Sequence, residues 1–393
     1  MDCIRDNEME KVTVVIIKSG PWRLAHLSRN HPEYSATFDL IENFESEVQF
    51  VLMGDDRHPT SGFLLNGAIA WDIQMDRFWN LTYFFDLIRL IVKYKPHLVI
   101  VLGNFKTLPV AIYSLFSKRC VYAPMFIGEF GYYGKKRIGK PLMKLFFKVL
   151  GVCLQLSRRK IISAFAISKF ERQAIEKLAP KLKGKIELYS YPISPNFHSF
   201  SAREHKRTDV PIILTVAAIQ PRKGLDVLVK AVALIAGKFK VIIKGSIRDA
   251  SYMQELTSMV KEFNLQDKIT FVTKHLDYDA LASYYKSATL FVFPSREDSL
   301  GVAVLEALHC GVPVISTPVG GIPDMIENRV NGILVNPSEP HELANAILLL
   351  LNNSDARMNL AKNTRRVLSG RYYEGRVSIG EALSQSIAKA ISE

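Results

Sequence analysis

Cysteine is scarce in this chain. Cys3, Cys120, Cys153 and Cys310 are spread over 393 residues, and no two stand at a zinc-ligand or redox spacing. That excludes a zinc ribbon and a disulfide scaffold, and it fits reduced thiols in a cytoplasmic compartment. No uninterrupted apolar run approaches the roughly 20 residues of a membrane-spanning helix. The opening MDCIRDNEMEK holds four acids and no apolar centre, which is not the pattern of a secretory signal. The expectation is a soluble chain, or one attached peripherally to the cytosolic face of a membrane. No G-x-G-x-x-G follows the first strand pattern, which argues against a Rossmann dehydrogenase. No acid cluster has metal-ligand spacing, so no metal is expected. Internal repeats and low-complexity segments are absent as well.

What is there is an ordinary globular balance, 48% hydrophobic and 23% charged, in a chain long enough for two cores. The net charge of +13 is unevenly placed. Residues 1 to 200 hold 28 Lys and Arg against 18 Asp and Glu, whereas residues 201 to 393 hold 23 against 20. The first half therefore faces something anionic. No aromatic RNA-binding motif or helix-turn-helix pattern accompanies the charge, so nucleic acid is not the expected partner. The charge is densest from Gly131 to Lys160, with nine Lys and Arg and no acid. Lys140, Lys144 and Lys148 recur every four residues, and apolar residues including Leu145, Phe146 and Leu150 fill the remaining arc. This predicts a basic amphipathic helix. One reading packs it on the domain with a solvated lysine edge. The other lays it on an anionic membrane surface, with Lys140, Lys144, Lys148 and Phe146 as contacts.

Apolar β-branched runs predict strands at Val12–Lys18, Val48–Met53, His97–Gly103, Cys120–Met125 and Ile161–Ile167, with a helix over Phe78–Tyr94. Alternating strand and helix signals argue for a Rossmann-like domain over residues 1–198. SFSAREHKRTD, 199–209, reads as a linker. A second α/β domain follows over 210–376, with strands at Val210–Ala218, Phe239–Lys244, Ile269–Val272 and Leu290–Phe293.

The most informative stretch runs from Phe291 to Gly332, FVFPSREDSLGVAVLEALHCGVPVISTPVGGIPDMIENRVNG. A short apolar strand leads through a polar turn to Gly301. Val302, Leu305, Leu308 and His309 then recur at helical spacing, and Gly311 stops the helix. Asp298 lies in the turn and Glu306 lies eight positions later, on the apolar side of the helix. An acid there needs a polar partner. The helix start offers the amides of Ser299, Leu300, Gly301 and Val302, a ready site for phosphate or a sugar hydroxyl.

This stretch resembles the donor-binding signature of retaining GT-B glycosyltransferases of the glycogen-synthase-like group, group 1, in which two acids bracket the same turn and helix. The resemblance implies two Rossmann-like domains facing each other across a cleft, with residues 377–393 forming a last helix that crosses back to the first domain. It implies a hexosyl transfer with retention and without a bound metal. No cofactor is expected, only a nucleotide-diphosphate-sugar donor and a sugar or lipid-linked acceptor. Carried over residue by residue, Glu306 holds the ribose hydroxyls and Asp298 sits near the transferred sugar. The family more often has glutamate at that first position, and Glu297 is adjacent, so a slip of one residue stays open. Ile219-Gln220-Pro221-Arg222-Lys223-Gly224 resembles the segment whose cations clamp the donor diphosphate. Lys223 and Gly224 match, but Ala217 and Ala218 stand where the family has Gly-Arg, and Arg222 is the candidate replacement. Two other readings keep their place: a nucleotide-sugar epimerase on the same fold, and a non-catalytic nucleotide-sugar binder.

Overall fold

The computed structural model describes residues 11–17, 39, 41–44, 48–56, 63–65, 68–74, 81–126, 140–198 and 210–392. Residues 18–38, residues 131–139 and the expected linker 199–209 lie outside them. The first half contains β1 (Val12–Ile17), β2 (Val48–Asp56), β3 (Phe63–Leu65), β4 (Ala68–Gln74), α1 (Leu81–Tyr94), β5 (Leu98–Leu102) and α2 (Asn104–Phe116). It continues through β6 (Val121–Phe126), α3 (Lys140–Leu156), β7 (Ala164–Ala166), α4 (Lys169–Leu178) and β8 (Ile186–Ser190). The second half runs β9 (Ile212–Val216), α5 (Leu225–Ala233), β10 (Lys240–Lys244), α6 (Ala250–Glu262), β11 (Ile269–Val272), α7 (Tyr278–Ser287) and β12 (Leu290–Phe293). Then come α8 (Val302–His309), β13 (Val314–Ser316), α9 (Ile322–Met325), β14 (Ile333–Leu334), α10 (Pro340–Asn352) and α11 (Ser354–Val367). The chain ends with β15 (Arg376–Ser378) and α12 (Ile379–Ser392).

Two sheets result, ordered β15-β8-β7-β6-β5-β1-β2-β4-β3 and β11-β10-β9-β12-β13-β14. Among the described residues every strand pairing is parallel except β3 with β4. Central parallel strands are covered on both faces, which is why VTVVII, Thr13 apart, and LFVF run apolar rather than alternating. From β4 to β8 the chain advances across the first sheet in one direction. Right-handed crossovers then put α1 to α4 on one face, and neighbours in that layer touch.

The inner side of that layer corrects one expectation. Phe146 is only 8% exposed and stacks on Phe105, ring centroids 4.9 Å apart, while Leu150 is fully buried. Neither can contact a membrane. Aromatic residues on a helix lying against a sheet are drawn to the inward stripe, where they bury most surface. Lys144, Leu145 and Lys148 are exposed, and the side chain of Lys140 lies outside the described residues.

The chain also returns to the first sheet. After α11 comes a π-helical turn, Leu368–Tyr373, and β15 pairs with β8. Val377 and Ser378 are therefore strand, not the first residues of the last helix. The cause is local: Ser378 caps α12. The Ser378 amide donates to the Glu381 carboxylate at 2.6 Å, and the Glu381 amide donates back to Ser378 Oγ at 3.2 Å. Helix α12 then packs on β5 and β8.

Candidate active site

In the second sheet the strand order reverses between β9 and β12. Ligands of open parallel sheets bind beyond the carboxyl ends of the strands at such a point. Two loops meet there, 217–224 after β9 and 294–301 after β12. Lys223 ends a 3-10 turn, Pro221–Lys223, and Gly224 follows in the left-handed region at φ 65°. A Cβ at Gly224 would fall 2.1 Å from the Pro294 carbonyl oxygen, so only glycine lets these loops approach so closely. Gly224 thus has a backbone role here.

Lys223 Nζ pairs with Asp298 Oδ2 at 2.5 Å, each side chain 10% exposed, and lies 4.8 Å from the centre of the Phe293 ring. Asp298 Oδ1 accepts from the amides of Ser299 at 2.9 Å and Gly301 at 3.1 Å. Burial works to raise the Asp298 carboxyl, but Lys223, then Arg222 and the Ser299 amide, outweigh it and hold it below its ordinary value. Burial lowers Lys223, and Asp298 works in the opposite sense. Of the two adjacent acids, it is Asp298 that faces the lysine. One expectation needs correction: the Ser299 and Gly301 amides point at Asp298 rather than outward as donors. A carboxylate one residue before Ser299 and three before Gly301 is close enough to take both amides. Leu300 is buried, and Val302 is half-buried at the first position of α8.

Arg222 belongs to the same junction. Its guanidinium donates to the Glu297 carbonyl at 3.3 Å, while its own carbonyl accepts from the Arg296 amide at 2.8 Å and from Ser295 Oγ at 3.1 Å. It therefore reaches the loop that carries Asp298.

Glu306 sits on the second turn of α8, partly exposed. Its Oε2 accepts from Tyr285 Oη at 2.7 Å. Tyr285 is fully buried on α7, edge-on to Phe197 with centroids 5.6 Å apart. The acid thus has the polar partner its position demands. Burial raises its pKa to about 7, and the tyrosine hydrogen bond works in the lowering sense.

Sequence reasoning missed the residues that brace the two loops. Arg296 grips Asp226 through two bonds of 2.8 and 2.6 Å, and Tyr252 Oη donates to the same carboxylate at 2.6 Å. Burial works to raise Asp226, but Arg296 and Tyr252 hold it below its ordinary value. Ser295 is fully buried and bonds both loops, with Oγ also 2.8 Å from the Glu297 carbonyl. These partners lie far apart in sequence, so no spacing signals them. Gly320 closes the floor: a Cβ there would fall 1.8 Å from the Asp298 carbonyl oxygen. Among the described residues no group of three or more His, Cys, Asp or Glu is arranged to hold a metal ion.

Known proteins resemble this chain in sequence over part of its length and in fold over nearly all of it. Residues 197–367 match the family "Glycosyl transferases group 1". The chain is 32% identical over 150 residues to an uncharacterized glycosyltransferase of Methanocaldococcus jannaschii, covering 38% of this chain and 41% of that protein. It is 31% identical over 156 residues to the D-inositol 3-phosphate glycosyltransferase of Mycolicibacterium smegmatis, 39% of this chain and 36% of that protein. The match thus spans well under half the length of these relatives. The sucrose-phosphate synthase of Thermosynechococcus elongatus superposes with a TM-score of 0.74 at 18% identity, covering 97% of this chain and 100% of that one. HepE of Anabaena, solved with UDP and glucose, gives 0.69 at 16% identity, covering 97% and 99%. Residues 197–367 are thus similar to glycosyl transferases group 1, and the chain has the GT-B fold.

Proposed function

We propose that this chain is a retaining, metal-independent glycosyltransferase that moves a hexosyl group from a nucleotide-diphosphate sugar to a lipid-linked acceptor at the cytosolic face of a membrane. The observation that carries the reading is the Lys223–Asp298 pair at the strand-order reversal, with Glu306 on the helix that follows. The leaving nucleoside diphosphate is an anion, so the reaction needs positive charge where it departs. Lys223 supplies it, Arg222 adds to it, and the dipole of α8 acts in the same sense. Glu306 accepts from the ribose hydroxyls. Asp298 orients Lys223 and faces the transferred sugar.

The test is a thermal-shift screen of nucleotide sugars, since a specific donor raises apparent stability by mass action. Uridine diphosphate sugars come first, because HepE was solved with UDP-glucose. A donor that stabilises the protein is then offered with lipid-linked acceptors, and the anomeric configuration of the product reports retention. A folded protein stabilised by no nucleotide sugar would overturn the proposal. Binding without transfer would leave the non-catalytic binder in its place.

A further inference from the structure

The face of the α1–α2–α3 layer that points away from the sheet is unlike the rest of the surface. Fourteen large apolar side chains are exposed among the described residues, and eight of them lie on these three helices. On α3 they form one stripe: Leu145, Val149, Val152 and Leu156, between 40% and 62% exposed, repeat at four, three and four residues. That spacing lines one side of a helix. Phe116, at the end of α2, is 85% exposed. The two ends are tied together, because Lys160 Nζ donates to the Lys118 carbonyl at 2.7 Å. Exposed Lys118 and Arg119 therefore lie beside the 3-10 turn that carries exposed Arg159.

Charge on this layer is almost all positive. Residues 85–126 and 140–170 carry thirteen Lys and Arg against one acid, exposed Asp86 on α1. Lys144 and Lys148 are exposed and each precedes a stripe residue, so they flank Leu145 and Val149. We infer that this face docks on an anionic lipid bilayer, with the α3 stripe and Phe116 entering the interface and the lysines and arginines at headgroup level. The inference rests on the reading of a transferase that works at a membrane, and it names the surface that holds it there. An apolar row edged by cations is what a bilayer interface selects. Nucleic acid would satisfy the charge, but not an exposed phenylalanine and four aliphatic residues in line. A second copy of the same face would set lysine against lysine.

Co-sedimentation with vesicles tests this without catalysis. The protein should bind phosphatidylcholine vesicles containing phosphatidylglycerol at low salt, bind pure phosphatidylcholine far less, and release as salt screens the charges. Replacing Lys144 and Lys148 by serine should weaken binding about 30-fold. Replacing Val152 and Leu156 by serine should weaken it about tenfold. All four positions are exposed, so the unfolding midpoint should stay put. Glu306→Gln should bind vesicles as wild type does, which separates docking from transfer. Wild type that ignores anionic vesicles, stripe variants that bind unchanged, or duplex DNA bound as tightly as lipid would each overturn the surface. An active transferase that ignores vesicles overturns this surface alone. Docking without transfer to any acceptor overturns the reading beneath it.

Discussion

Lys223 and Asp298 meet at 2.5 Å across the point where the second sheet reverses its strand order. They stand 75 residues apart in the chain, and each is the other's balancing charge in a site that admits little water.

Removing the acid should therefore destabilise more than removing an exposed one. Asp298→Asn leaves Lys223 buried without an opposite charge, and a loss of roughly 3–5 kcal/mol is expected in urea unfolding at pH 7. The folded pKa of Asp298 is depressed, so its contribution is present above the unfolded carboxylate value and is lost as pH falls through the lower folded one. A loss within error of an exposed Asp→Asn control would show that the pair balances nothing.

Lys223→Ala should lower turnover by about one to three powers of ten, the effect of removing a group that stabilises developing negative charge. Arg222→Ala should lower it too, because Arg222 is a second cation that reaches the Asp298 loop. Equal turnover in wild type and Lys223→Ala would remove the diphosphate clamp.

Glu306→Gln should weaken transfer while making the empty protein more stable. The folded pKa of about 7 lies above the unfolded value, so the folded state holds the proton more tightly. Stability from this group is full below the unfolded value, falls as pH rises to about 7, and then stays low. Glutamine carries no charge and still accepts the Tyr285 hydrogen bond. It should gain roughly 1–3 kcal/mol at pH 8 and almost nothing at pH 4. Donor affinity should drop by about 1.5–3 kcal/mol with the charge-assisted bond. A variant less stable than wild type at pH 8, or one with unchanged donor affinity, contradicts the assignment.

His309, three residues further along α8, should pull the pH profile the other way. Its Nδ1 lies 2.9 Å from the Leu305 carbonyl and its Nε2 lies 2.8 Å from Tyr373 Oη in the returning segment. Burial lowers its pKa to about 4, the Leu305 carbonyl works to raise it, and His198 lowers it further. Its contribution is full above about 6.5 and declines as pH falls toward 4, by roughly 1–3 kcal/mol. In His309→Gln that decline should be gone, leaving the Glu306 gain visible on acidification. Parallel pH profiles for variant and wild type would refute it.

The return of the chain depends on Arg376. Its guanidinium is fully buried, pairs with Asp324 at 2.6 Å, and donates to the Ile167 and Tyr189 carbonyls at 2.7 and 3.0 Å. Asp324 Oδ2 also accepts from the Lys169 amide at 2.9 Å, so one carboxylate binds both halves. Arg376→Met should cost roughly 3–5 kcal/mol by leaving Asp324 buried and unpaired. Arg376→Lys should not restore it, because an ammonium cannot span three acceptors in a plane. Full rescue by lysine would sink this account.

Local patterns carried much of the molecule. Continuous β-branched runs marked buried parallel strands, and the turn-and-helix after β12 was legible because its apolar spacing, its glycines and its two acids sit within one short window. The same window carries the family resemblance. Helix α12 had a readable signal in Ser378-x-x-Glu381.

Other features had no local signature. Helix α3 is apolar around most of its circumference, so periodicity could not say whether Phe146 or Val152 faces the sheet. Packing against Phe105 decided that. The bond from Tyr285 to Glu306, the grip of Arg296 on Asp226, and the joining of both halves by Asp324 and Arg376 each bring together residues from separate elements. By itself the sequence determined which segments become strands and helices, because burial on one or both faces writes its period into the residues. Which charged groups meet was decided only by the tertiary structure, since a buried charge needs a partner in space and the chain places that partner wherever the strand order brings it.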